Sequence, residues 1–353
     1  MAFLFKRNPK TPSELIRTLN EQVIKFDHSN NDKRKLQDEI SRYLNSIKII
    51  LHGDEDNDPQ PDLIAQLAQE VYQTDILYNL ILNLSNLEFD SRKDVQTLFS
   101  TLLRRQIGNR SPTVDYLISK PKILNLLMKG PEIPNITLIT NSILRDCIKL
   151  KQLNKILLDD ITIWKFFQFA QTGTFENMTD SFQTLNELIT THKKISSQWL
   201  LINSKEFIIK INKLIGSNNY VTKRQSIKLL SQLLLTRFNT QFMLIYVNDP
   251  ENLKLIMILL SDKSKNLQLE SFNVFKIFVA NPKKSKLISE ILIKNRDKLL
   301  NFLEKFNPII DRKDDNLFND EKEFVVQQIN DLPRLIISNN NPNNIVNINN
   351  NQQ

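Results

Sequence analysis

The residues of this chain that could do chemistry are few, and their spacing supports no reaction. The acidic residues Asp54, Asp56 and Asp58 have the alternating spacing that opens a calcium-binding loop. Such a loop needs Gly at its sixth position and Glu at its twelfth, where this chain has Pro59 and Ala65. The run therefore predicts a solvated acidic loop without a metal.

The remaining candidate ligands and nucleophiles are isolated in the sequence. His28, His52 and His192 lie far apart, and Cys147 is the only cysteine. Zinc sites and Cys–His catalysis need such residues in clusters, and a single cysteine excludes an internal disulfide. We therefore predict no catalytic residue, no metal and no cofactor, and we interpret Cys147 as a small packing residue.

One constellation of side chains could instead bind a partner. Tyr220, Arg224 and Lys228 are spaced at i, i+4 and i+8, which places them in a row on one side of a predicted helix. The apolar stripe of that helix consists of Ile227, Leu230, Leu233 and Leu234. The row fits two interpretations equally well, a surface that binds an acidic partner and a set of solvated side chains without a role.

The composition narrows the class of protein. Only 5 of 353 residues are Gly, which argues against Gly-rich phosphate loops, Rossmann fingerprints and hairpin-rich β folds. The 47 basic and 39 acidic residues give a net charge of +8, which favours an acidic partner without requiring nucleic acid. No apolar run reaches the ~20 residues of a membrane span, and the first residues show no signal-peptide pattern. We expect a cytoplasmic protein.

Helix boundaries are marked by capping residues. Thr11, Pro12 and Glu14 form a capping box at the start of the first helix, and Gly53 ends the second helix. A final helix is predicted over 319–332. The other predicted C-cap glycines are Gly108, Gly130, Gly173 and Gly216.

An internal repeat predicts the architecture. Ser181, Ser226 and Ser271 lie 45 residues apart, and each is followed by apolar residues at +1, +4, +7 and +8. A weaker copy contains Val95, Leu98 and Leu102. A helical period of about 40–47 residues is typical of armadillo and HEAT repeats. We predict an all-α, right-handed helical-repeat solenoid, a curved rod with a concave binding face. The serines either permit close helix approach or occupy solvated turns.

The predicted domain organisation has three parts. Residues 1–10 form an N-terminal extension, residues 11–333 form the armadillo-like repeat domain, and residues 334–353 form a tail. The tail is almost entirely Asn and Gln, which cannot bury enough apolar surface to offset the entropy of ordering. We therefore predict that the tail is disordered.

Five segments carry a resemblance to a known family. They are AQLAQE (65–70), LRRQIG (103–108), NYVTKRQS (219–226), PENLKL (250–255) and VANP (279–282). These segments resemble the calcium-binding protein 39 family, the armadillo-like scaffold of the liver kinase B–STRAD complex. The resemblance is collinear from the N-terminus to about residue 333. The Asn/Gln tail departs from the family pattern, and the Asn, Lys and Ile bias is typical of a fungal member.

The resemblance implies a non-enzymatic scaffold. Members of the family bind germinal-centre (Ste20-type) kinases or STRAD-like pseudokinases on the concave face and favour the active kinase conformation. Fungal members serve a morphogenesis and cell-separation network that also involves an NDR-type kinase, which implies enrichment at sites of polarised growth. The family is not expected to sense calcium.

The resemblance also implies two sets of binding residues. The positions that match the family's kinase-binding face are Phe175, Tyr220, Arg224 and Lys228. The positions that match its pocket for a Trp-Glu-Phe-like peptide are Arg237, Met257 and Lys294. Thr240 departs from the family pattern, which has Phe near that pocket.

Two other functions share the predicted architecture. An RNA-binding helical-repeat protein would also be basic, but it would repeat its contact residues in every unit. Thr179 and Leu269 stand 45 residues before and after Arg224 and interrupt the row, so we expect no nucleic acid partner. An armadillo-type cargo adaptor is the second alternative, because fold alone does not specify function.

Overall fold

The computed structural model describes residues 11–28, 32–55, 58–307 and 316–333. The chain divides into two compact units, the first extending to Ser196 and the second beginning at Ser197. The predicted extension 1–10 and the predicted tail 334–353 lie outside the described residues. The single repeat domain over 11–333 stays a prediction.

Twenty α-helices lie within the described part of the chain. Those of the first unit are α1 (Pro12–His28), α2 (Lys33–His52), α3 (Pro61–Gln73), α4 (Ile76–Leu82), α5 (Phe89–Arg104), α6 (Pro112–Ser119), α7 (Pro121–Lys129), α8 (Thr137–Ile148), α9 (Lys151–Asp159), α10 (Ile163–Phe169) and α11 (Phe175–Thr190). The division between the units falls within α12 (Lys193–Ile202). Those of the second unit are α13 (Ser204–Ile215), α14 (Tyr220–Leu235), α15 (Thr240–Val247), α16 (Pro250–Leu260), α17 (Lys265–Ala280), α18 (Lys286–Lys294), α19 (Arg296–Lys305) and α20 (Asn316–Asn330).

The predicted helix ends are confirmed at the N-terminal helices. Thr11 Oγ1 accepts a hydrogen bond from the Glu14 amide at 3.2 Å, as half of the capping box requires. Gly53 ends α2 with φ of 79°, and its amide donates to Ile49 O at 2.7 Å. The final helix α20 is present, although it begins and ends a few residues earlier than predicted.

The 45-residue repeat is confirmed as a repeat of helices. Helices α11, α14 and α17 each have 16 residues, and their first residues lie 45 positions apart. Within the first unit α2, α5, α8 and α11 pack on one another in order, and within the second unit α14, α17 and α20 do the same. We call these seven the stacking helices. The all-α helical-repeat fold class is therefore confirmed.

The repeated serines lie between stacking helices. Ser181, Ser226 and Ser271 are all buried, so the interpretation as solvated turn positions is wrong. Ser181 Oγ accepts from Asn141 Nδ2 of α8 at 3.2 Å. The hydroxyls of the other two have no hydrogen-bond partner in the described ranges. A small side chain is what these positions require, because it lets adjacent helices approach closely.

Buried aromatic residues fill the interior of the second unit. Phe272, Phe275 and Phe278 on α17 are fully buried, as the apolar spacing predicted for core residues. Phe272 packs edge-on against Phe318 of α20 with ring centroids 5.4 Å apart. The apolar stripe of α17 therefore contacts α20, the next stacking helix.

The glycine prediction is only partly correct. Gly108 lies beyond the end of α5 in a turn closed by an isolated β-bridge between Ile107 and Arg110, so it is not a C-cap. Gly173, with φ of 102°, also lies beyond the C-cap of α10. Gly216 and Gly130 directly follow α13 and α7, but both have right-handed backbone conformations. Their conformation alone therefore does not require Gly.

Packing, not backbone conformation, explains Gly130. A Cβ atom added there would lie 2.4 Å from both Cγ2 and Oγ1 of Thr140. Thr140 is fully buried on α8, and its hydroxyl donates to Ile136 O at 3.1 Å. Because the buried, hydrogen-bonded Thr140 occupies the space that a Cβ would need, the absence of a side chain at residue 130 lets the segment after α7 lie against α8.

We predict that Gly130→Ala lowers the free energy of unfolding by about 1–3 kcal/mol, the usual cost of overpacking a core. Gly216→Ala is the matched control, since its Cβ would meet Asn212 O at an ordinary 3.5 Å. We expect the control to change stability by no more than about 1 kcal/mol, in the stabilising direction. Urea denaturation followed by circular dichroism measures both. Equal midpoints for the two variants would contradict this account of Gly130.

Candidate functional site

The exposed edge of α14 carries the predicted row. Tyr220 is the first residue of the helix, and Arg224 and Lys228 follow one and two turns later, all three exposed. The opposite side of α14 is buried, so the row occupies the part of the helix that packing leaves free. Asn219 caps the helix by accepting from the amides of Val221 at 2.9 Å and Thr222 at 3.2 Å. Because this cap sets the first residue of α14, it also sets the position of Tyr220 at the start of the row.

The Tyr220 hydroxyl is held by the start of the next stacking helix. Ser264, the N-cap of α17, donates from Oγ to Tyr220 Oη at 3.3 Å. Hydrogen bonds with Ser264 and Asn266, followed by the positive charge of Arg224, lower the pKa of Tyr220 from its ordinary value. The ring is 43% exposed, so it presents an aromatic surface while its hydroxyl is fixed.

Glu270 on α17 faces the two cations of the row. Burial raises the pKa of the Glu270 carboxyl, and the charges of Lys228 and Arg224 partly offset that effect. Neither cation forms an ion pair within 4 Å in the part of the chain that the structure describes. The guanidinium of Arg224 and the ammonium of Lys228 are therefore available to carboxylates of a partner.

Phe175 lies in the first unit, whereas the other three predicted kinase-binding residues lie in the second. It is the first residue of α11 and is 60% exposed. Thr174 caps the helix, its Oγ1 accepting from the Asn177 amide at 3.2 Å. Phe175 thus occupies on α11 the position that Tyr220 occupies on α14.

The predicted peptide-pocket residues lie on three elements of the second unit. Arg237 is exposed in the 3-10 helix Arg237–Asn239, Met257 is half-buried on α16, and Lys294 is exposed at the end of α18. Helices α16 and α18 pack together, whereas no hydrogen bond or ion pair joins the three side chains within the described residues. Thr240 is exposed, and its Oγ1 donates to Arg237 O at 3.0 Å.

Sequence reasoning missed the residues that cap the stacking helices and the carboxylate near the row. Thr174, Asn219 and Ser264 are N-caps spaced 45 residues apart, a signal that marks the start of three stacking helices and was present in the sequence. Glu270 had no such signal, because only the packing of α17 on α14 brings it near the cations.

An apolar groove at the C-terminal end of α14 was also missed. It has a volume of about 460 Å³ and is lined by Leu235, Ile277, Ala280 and Phe324 from three stacking helices. The ion pair between Lys276 and Glu321, at 2.6 Å, lies beside it.

The cysteine, histidine and acidic residues that could take part in catalysis or metal binding form no such site in the described part of the chain. Cys147 is fully buried, as predicted for a packing residue, and burial raises the pKa of its thiol to about 12. The described residues contain no group of three His, Cys, Asp or Glu side chains that could hold a metal ion. Asp56 of the acidic run lies outside them. None of the described helices is long and apolar enough to cross a membrane.

We predict that Glu270→Gln stabilises the protein at pH 8 and has little effect at pH 4. A carboxyl with a raised pKa in the folded state favours folding at low pH, and this contribution is lost as the pH rises through that pKa. An amide at position 270 carries no charge at any of these pH values, so the variant does not lose this stability as the pH rises. Thermal denaturation across this pH range measures the difference. Glu323→Gln, at an exposed position on α20, is the control and should show no such trend; an equal trend in both variants would contradict the role of burial.

Comparison with known proteins places the chain in a family. The model of the Mo25-like family matches residues 3–333. Protein HYM1 of Saccharomyces cerevisiae is 45% identical, the match covering 97% of this chain and 89% of that protein. Calcium-binding protein 39-like of Mus musculus is 43% identical over 94% of this chain and 98% of its own length. Conidiophore development protein hymA of Emericella nidulans is 38% identical over 95% and 94% of the two chains. The chain belongs to the Mo25-like family.

Proposed function

We propose that this chain is a non-catalytic scaffold that binds the kinase domain of a germinal-centre (Ste20-type) kinase or a STRAD-like pseudokinase and stabilises its active conformation. The observation that carries the proposal is the row of Tyr220, Arg224 and Lys228 on the exposed edge of α14. Membership in the Mo25-like family supports it, since the resemblance assigns kinase binding to these same positions.

The chemistry of the row suits an acidic protein surface. Arg224 supplies a planar, permanently charged group that can bind a carboxylate through two parallel hydrogen bonds, and Lys228 supplies a second charge one turn away. Tyr220 adds an aromatic surface beside them. Charges of this kind speed association and set register, while aromatic contacts supply much of the affinity.

Such a scaffold acts by shifting a conformational equilibrium. A kinase domain exchanges between active and inactive conformations, and a protein that binds the active one more tightly increases its population by the ratio of the two affinities. The scaffold needs no catalytic residue for this effect. The catalytic groups belong to the bound kinase.

The second proposed contact is a short aromatic peptide of the partner. Met257 and Lys294, on the packed helices α16 and α18, combine a flexible apolar side chain with a positive charge. Arg237 adds a second cation on the neighbouring 3-10 helix. A peptide containing an aromatic and an acidic residue would find complementary groups in both.

The biological setting proposed for the complex is fungal morphogenesis, with an NDR-type kinase downstream and enrichment at sites of polarised growth. The name of the Emericella nidulans relative refers to conidiophore development, which is a morphogenetic process. The relatives therefore support this setting for the proposed kinase scaffold.

We expect Arg224→Ala to weaken binding of a recombinant Ste20-type kinase domain by at least about tenfold, because an Arg at a contact centre often dominates affinity. Stability should change by less than about 1 kcal/mol, since the side chain is exposed. Isothermal titration calorimetry and thermal denaturation measure the two effects.

The matched control for that experiment is Lys298→Ala, which removes an exposed cation from α19. The control should bind like the unmodified chain. If Arg224→Ala also activates and binds the kinase like the unmodified chain, the proposed site is wrong. Tight, steeply salt-dependent binding of an oligonucleotide that Arg224→Ala abolishes would favour the RNA-binding alternative.

We also expect Met257→Ala and Lys294→Ala each to reduce affinity for a fluorescent peptide that ends in Trp-Glu-Phe. The first loses apolar contact and the second loses a charge, so only the second should reduce the salt dependence of binding. Fluorescence anisotropy at two salt concentrations measures both. Unchanged affinities would contradict a peptide pocket at these residues.

A further inference from the structure

The exposed edge of α5 repeats the arrangement found at the start of α14. Both helices have 16 residues and begin with an aromatic residue, Phe89 in α5 and Tyr220 in α14. Each also has a cation four residues later, Lys93 and Arg224 respectively. Phe89 is 63% exposed, as open as Phe175 at the start of α11.

The aromatic ring and the cation of α5 interact directly. Lys93 Nζ lies 4.1 Å from the centroid of the Phe89 ring, within the range of a cation–π contact. Lys93 forms no ion pair in the described part of the chain and is itself exposed. The pair therefore presents an apolar surface with an uncompensated positive charge next to it.

The start of α5 is held firmly, which fixes the position of this pair. Arg92 Nε donates to Leu87 O at 2.8 Å. Its terminal nitrogens donate to Asn135 O, before α8, at 2.8 Å and to Ser85 O at 3.0 Å. Asn177 of α11 donates to Pro134 O in the same segment at 3.1 Å. The beginnings of α5 and α11 are thus both tied to the loop that precedes α8.

The fold gives no packing reason for an aromatic residue at position 89. The core side of α5 is formed by other residues, among them Val95, Leu98 and Leu102, which are fully buried. A single exposed Phe needs no explanation, because apolar atoms make up much of any protein surface. The same placement at the first residue of three stacking helices, twice with a cation one turn later, does point to a shared use.

We propose that Phe89 and Lys93 form a third contact for the partner that Phe175 and the α14 row bind, and that this contact receives an apolar side chain with a carboxylate beside it. The inference rests on the proposed function. Phe89 would pack on the apolar group and Lys93 would pair with the carboxylate. Glu88 and Asp90 adjoin the ring in sequence, so this surface suits one carboxylate and not a broadly acidic face.

The placement of the two aromatic residues indicates what kind of partner can reach both. Helices α5 and α11 each pack on α8, which lies between them in the stack. Packed helices are about 8–10 Å apart, so the starts of α5 and α11 are separated by roughly 20 Å. That span exceeds one side chain, and the contact therefore fits a folded domain better than a short linear peptide.

The experiment uses the full chain and a recombinant Ste20-type kinase domain in calorimetric titrations. We expect Phe89→Ala and Lys93→Glu each to weaken binding about tenfold, and Lys93→Arg to retain it, because Arg preserves both the charge and the ring contact. The Phe89→Ala and Phe175→Ala effects should multiply in the double variant, as for separate contacts with one rigid partner. Ile161→Ala, at another exposed apolar position of the first unit, is the control and should bind normally.

The possible outcomes separate this inference from the proposed function. If Arg224→Ala weakens binding while Phe89→Ala and Lys93→Glu do not, the proposed contact at Phe89 and Lys93 is wrong and the scaffold function stands. If Lys93→Arg loses as much affinity as Lys93→Glu, charge pairing at this position is wrong. If the unmodified chain does not bind the kinase domain, both proposals fail. Melting temperatures of all variants should match that of the unmodified chain, and a large decrease for Phe89→Ala would indicate a structural role instead.

Discussion

The structure depends on the stacking helices being buried where they face one another. A helix such as α5 packs on both α2 and α8. The apolar repeat supplies the buried surface, and small residues such as Ser226 and Ser271 allow the close approach. Where two elements lie too close together for any side chain, the sequence has Gly, as at Gly130 beside Thr140. One edge of each helix remains exposed.

Those exposed edges carry the residues of the proposed contacts. The row on α14, Phe175 on α11 and the Phe89–Lys93 pair on α5 all occupy the free edge of a stacking helix near its N-terminus. Polar contacts between consecutive elements hold parts of two of these edges, as Ser264 does for Tyr220 and Asn135 does for Arg92. Within the proposed function, a Tyr220 hydroxyl and a start of α5 that are already held in place reduce the entropy lost when the partner binds.

The charges around the α14 row reduce the stability of the free protein. Glu270 is placed where burial disfavours its charge, and the two cations compensate only in part. Arg224 and Lys228 in turn lack ion-pair partners in the described ranges. Binding surfaces are often less than optimal for stability in this way, because groups that serve a partner are left unsatisfied in the free protein. Within the proposed function, a carboxylate of the kinase would complete the arrangement.

The sequence by itself determined the all-α repeat, its 45-residue period, the capping box at Thr11 and the row on α14. These features depend on local periodicity and capping, which neighbouring residues encode. The resemblance to a known family added the proposed binding residues, which periodicity could not distinguish from solvated charges. The reason for Gly130, the position of Glu270 and the apolar groove at Leu235 were decided only by the tertiary structure. Each of them depends on which side chain of one helix meets which side chain of the next, and that pairing joins residues far apart in the chain.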